Sequence, residues 1–159
     1  MIIQAGFDFE ILARPRIIQH GMLMPSLVLI CLDESMQLNS VRIVPGTFAG
    51  CLVPFEGAIL AALNPDYTKY FAIAHPGSFS EAFSEPDPLL DEAAALETKA
   101  AERGMRLIGH FAIDETGSMS ARPRSYFDEY PSHEDLPRTM VHWVHSKFGN
   151  CGSLTAPPQ

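Results

Sequence analysis

The stretch DPLLDEAAALETKAAERG, Asp87 to Gly104, constrains this chain more than any other. Asp87 stands where an N-cap is wanted, Pro88 suits the first helical position, and Asp91 and Glu92 lie near the positive end of the dipole. Leu89, Ala93, Leu96 and Ala100 fall on one face, and Gly104 follows Arg103 as a natural stop. The spacing predicts a helix over about 88–103. Its apolar stripe must be covered, and KYFAIA (69–74) and RLIGHFAI (106–113) on either side read as strands.

The remaining elements follow from similar cues. LVLICL (27–32) is a buried strand, DESMQLN a hairpin connection, and Val41 to Val44 the returning strand, stopped by Pro45-Gly46. Phe55, Ile59, Leu60 and Leu63 recur at helical spacing after Pro54, and Asn64-Pro65-Asp66 ends that helix. Residues 77–86 form a loop. Asp114 to Gly117 turn the chain into a short strand over 118–121. Residues 1–20, broken by Pro15, read as an arm or a short strand over the core, residues 136–148 as a short helix, and GSLTAPPQ at the end as frayed. The order strand, strand, helix, strand, loop, helix, strand, strand describes an α/β chain with helices packed on a mixed β-sheet.

At 159 residues one domain is expected, and 47% apolar against 19% charged content gives it a core. No apolar run reaches the roughly 20 residues that span a bilayer, and no signal-like segment opens the chain. The net charge of −8 argues against independent tight nucleic-acid binding. Cys31, Cys51 and Cys151 form neither a CxxC pattern nor a disulfide framework, so a reducing, cytoplasmic setting is expected. No GxGxxG or Walker-type sequence follows any strand, and no nucleophile elbow is present.

The words LICLD (29–33), PGT (45–47), AIAHPGS (72–78), SEPD (84–87), RLIGHFAID (106–114) and GSMS (117–120), in this order, resemble the RadC-type JAB/MPN domain. The resemblance spans residues 27–121, with 1–26 as an N-terminal extension and 122–159 as a C-terminal one. It implies the JAB/MPN-like, cytidine-deaminase-like layered fold. It also implies a zinc centre of the form H-x-H-x7-S-x2-D, with an upstream glutamate as acid/base partner. His75 matches the second histidine, Ser84 the serine and Asp87 the aspartate, with the loop one residue longer than the family spacing. Isoleucine occupies the first histidine position, at Ile73, and Pro25 stands near where the glutamate is expected. His110 matches a further family histidine, on the strand after the long helix.

A catalytic zinc takes three protein ligands and a water that a carboxylate deprotonates. Isoleucine cannot ligate and proline cannot act as a base. The expected function is therefore a non-catalytic binding or assembly module with a vestigial pocket at His75, Ser84, Asp87 and His110, no cofactor, and a protein partner or second copy. One alternative is a zinc-dependent, isopeptidase-like hydrolase with rearranged ligands His75, Asp87 and His110. Another is an accessory protein of a DNA-processing complex. Each residue also has a plainer role: His75 a loop histidine bound to nearby backbone, Asp87 a helix cap, Ser84 a turn residue, His110 a satisfied core histidine. In the tail, His142 and His145 share a helix face without an evident third ligand. Asp128, Glu129, His133, Glu134 and Asp135 read as a solvated acidic face. Val141, Trp143, Val144 and Phe148 suggest either a partner surface or an ordinary packed helix.

Overall fold

The computed structural model describes residues 1–3, 6–78, 81–83 and 87–121. The arm or short strand expected over residues 1–20 is instead mostly a helix, α1 (Gly6–Ile17). Pro15 lies inside its last turn and does not end it. The helix is held by tertiary packing: Phe9, Ala13 and Ile17, spaced four apart, are all fully buried. Arg14 pairs with Glu10 one turn back and also donates to the Asp114 carbonyl at 3.0 Å, tying α1 to the far end of the sheet. A hairpin follows, β1 (Ile18–Gln19) and β2 (Met22–Leu23). Its two turn residues, His20 and Gly21, both have positive φ (54° and 75°), the geometry of a type I′ turn.

Next come β3 (Leu27–Leu32) and β4 (Leu38–Val44), the latter starting three residues before the expected Val41. Asp33 Oδ1 accepts from the amides of Ser35 and Gln37 and closes their connection. A 3₁₀ turn at Val53–Phe55 leads into α2 (Glu56–Ala62). Then β5 (Tyr70–Pro76), α3 (Pro88–Ala101), β6 (Arg106–Ile113) and β7 (Ser118–Ser120) complete the described residues. The tail helix expected over 136–148, with Cys151 and the tail histidines, acidic residues and aromatics, lies outside them.

The sheet order is β4-β3-β5-β6-β7. Every pairing is antiparallel except β5 with β6, which α3 joins as a crossover. Alternate residues of the central strands face opposite ways. Val28, Ile30, Leu32, Ala72 and Ala74 pack with Phe9, Ala13 and Ile17 of α1. Leu27, Leu29, Phe71 and Ile73 pack instead with Ile59 of α2 and Leu89, Ala93 and Leu96 of α3. The result is a mixed α/β fold with helices on both faces of the sheet. The N-terminal extension expected over 1–26 contains α1, which packs on one face of the sheet.

The best-defined boundary is the start of α3. Asp87 is extended (φ −129°, ψ 110°), and its carboxylate accepts from the Leu89 amide at 3.0 Å. Gly104 closes the other end at φ 82°. Asp87→Ala is expected to lower stability by about 1 kcal/mol, read from the urea unfolding midpoint. An unchanged midpoint would remove the capping role.

Candidate functional site

Two neighbouring parallel strands bring two histidines together, one near the carboxyl end of β5 and one midway along β6. His75 on β5 and His110 on β6 both face the α2–α3 side, the register pairing Ile73 with His110 and His75 with Ala112. Both side chains are buried, His75 at 2% and His110 at 4% exposure. His75 Nε2 lies 2.7 Å from His110 Nε2, and His75 Nδ1 lies 3.0 Å from the Pro76 carbonyl oxygen. His75 is thus hydrogen-bonded to nearby backbone, as its plainer reading holds, but from within a buried strand.

These contacts assign the tautomers. A carbonyl only accepts, so His75 Nδ1 carries the hydrogen and the neutral ring leaves a lone pair on Nε2. The 2.7 Å contact then requires His110 Nε2–H to donate to His75 Nε2. Burial pushes the His75 pKa down to about 4, against upward pulls from the Pro76 carbonyl and the Asp87 carboxylate. At neutral pH the His75 ring is uncharged.

Two phenylalanines wall the pair, and no sequence cue pointed to either. Phe48, just after PGT, stacks on His75 with centroids 4.3 Å apart and rings 19° from parallel. Its amide donates to the carbonyl of Pro25 at 2.9 Å, linking the position without the expected glutamate to the histidines. Phe83 sets its edge against His110 at 4.7 Å and His75 at 6.1 Å, from a backbone at φ 64°. A bulky side chain in that left-handed region is strained. The loop after Phe48 is fastened from α3, where Glu92 Oε1 accepts from the amides of Leu52 and Val53.

Of the other expected site residues, Ile73 is fully buried among Leu29, Phe71 and Leu89. Asp87 acts on His75 through its charge while capping α3. Ser84 lies outside the described residues. Among the described residues, no three His, Cys, Asp or Glu side chains are grouped to hold a metal ion. The distance between the histidines disagrees with zinc as well. Two nitrogens on one tetrahedral zinc at roughly 2.0–2.1 Å stand about 3.4 Å apart, well beyond the observed 2.7 Å. The described residues do not fit the metal.

Cys31 is a buried thiol whose pKa burial pushes up, and Cys51 is exposed. No helix among the described residues is long and apolar enough to cross a membrane.

Gly109 lets His110 reach its place. It sits at a register shift between β5 and β6, and a Cβ there would lie 2.7 Å from the Phe111 ring and 3.1 Å from Ala72 Cβ. Gly109→Ala is expected to cost about 1–3 kcal/mol through this overpacking. A chemical-denaturation midpoint within error of wild type would contradict it.

The chain matches no family model and no curated protein.

Proposed function

We propose that the chain is a degenerate RadC-like JAB/MPN domain that serves as a non-catalytic binding or assembly module. The observation that carries this reading is the direct Nε2–Nε2 contact of His75 and His110 at 2.7 Å. The atoms that would face a metal are spent on each other, and Phe48 stacks on the imidazole beside them. Ile73 and Pro25 supply neither the third ligand nor the base that hydrolysis requires. A sheet of mixed direction with helices on both faces is compatible with the layered fold of that family.

The rearranged hydrolase keeps one observation in its favour: two of its three ligands, His75 and His110, are adjacent, and the Asp87 charge acts on His75. One experiment separates the two readings. Protein purified without chelator is analysed for zinc and assayed on an isopeptide-linked substrate. We expect far less than one zinc per chain and no turnover above background. Stoichiometric zinc with turnover that a chelator abolishes would establish the hydrolase instead. The DNA-associated reading gains nothing from the residues at this site. Its test is a gel shift on DNA that weakens steeply with salt.

A further inference from the structure

We infer that the His75–His110 hydrogen bond is a structural clasp between β5 and β6, taking the place that a metal ion would hold. The inference rests on the non-catalytic reading above and gives that site a role. Three features support it. The pair joins the two central parallel strands of the sheet at the end where β5 gives way to the long loop. The hydrogen bonds form a directed chain, His110 Nε2–H to His75 Nε2 and His75 Nδ1–H to the Pro76 carbonyl, so His75 has both ring nitrogens paired inside the protein. Phe48 and Phe83 enclose the imidazoles, and Phe48 in turn holds Pro25, the residue leading into β3. Breaking the clasp therefore loosens three places at once: the seam between β5 and β6, the loop that carries Phe48, and the start of β3.

A metal site and a clasp differ in what removing one histidine does. With zinc, either loss removes a ligand and added zinc opposes unfolding. With a clasp, His110→Leu leaves the Nε2 lone pair of His75 buried without its donor, whereas the double change His75→Leu with His110→Leu removes both polar groups.

The test uses the full chain. Each single change is expected to raise the unfolding equilibrium constant about 10- to 100-fold, and the double change to fall short of the product of the singles by about tenfold or more. One equivalent of zinc is expected to leave the wild-type melting temperature unmoved. Because a variant can fail to fold, the wild-type protein supplies a second readout. In uniformly ¹⁵N-labelled protein at pH 7.5, a nitrogen–nitrogen coupling across the hydrogen bond should link His75 Nε2 to His110 Nε2, with His75 showing the Nδ1-protonated pattern. Absence of that coupling in a folded, zinc-free sample overturns the clasp and leaves the module reading standing. Zinc that raises the melting temperature while shifting both Nε2 resonances overturns the two together. Additive single and double variants also overturn the clasp.

Discussion

Replacing Phe9 by alanine is expected to lower stability by about 3–5 kcal/mol. Phe9 is fully buried, its ring lies 5.8 Å from that of Phe111, and it belongs to the core that α1 closes over β3, β5 and β6. Removing an aromatic ring there loses its transfer free energy and leaves a cavity that the flanking strands cannot collapse to fill. A domain of this size is typically stable by only about 5–15 kcal/mol, so the loss is a large share. The same packing predicts that a chain beginning at residue 27 does not fold, because Val28, Ile30, Ala72 and Ala74 would face water. Denaturant unfolding monitored by circular dichroism checks both. A cooperative transition from the truncated chain, or a Phe9→Ala loss under 1 kcal/mol (about fivefold in the folding equilibrium), would show that α1 is an appendage.

Acidification is expected to weaken the fold by about 3 kcal/mol. The His75 pKa is lowered from 6.5 to about 4. Between those values the unfolded chain binds a proton at this histidine and the folded chain does not, so stability is complete above about pH 6.5 and falls as the pH drops towards 4. Below about 4 both states are protonated and this contribution stops changing. His110 faces His75 from β6, and the Asp87 carboxylate at the start of α3 pulls the His75 pKa upward against the burial that lowers it. The physical cause is burial, which disfavours the charged ring, and a second hydrogen on His75 Nε2 would also meet the hydrogen on His110 Nε2. Urea midpoints across pH 7.5 to 4 give the profile, and His75→Gln should flatten it. An equally steep fall in that variant would assign the acid sensitivity to other groups.

How much of this was legible without coordinates varied with how local each signal was. α3 was readable because Asp87, Pro88 and Gly104 act within one turn of its ends, and its stripe of Leu89, Ala93, Leu96 and Ala100 is the face that is buried. β6 was readable for a similar reason, as an apolar segment between a glycine stop and an Asp-Glu-Thr-Gly turn. α1 was not: Pro15 looked like a break, and the packing that overrides it comes from strands far along the chain. At the site, the resemblance singled out His75 and His110. What it could not supply was a hydrogen-bond distance, the burial that neutralises His75, or the two phenylalanines, since Phe48 and Phe83 reach the histidines only through the fold.

The tie between Arg14 and the carbonyl of Asp114 has a bearing on biosynthesis. These partners are 100 positions apart, so the first helix emerges from the ribosome long before the strand that completes its seat. At about 5–20 residues per second, its greasy side stays uncovered for several seconds of translation. That interval is when a nascent-chain chaperone or a protease would meet it, and slow codons before residue 113 would prolong the exposure.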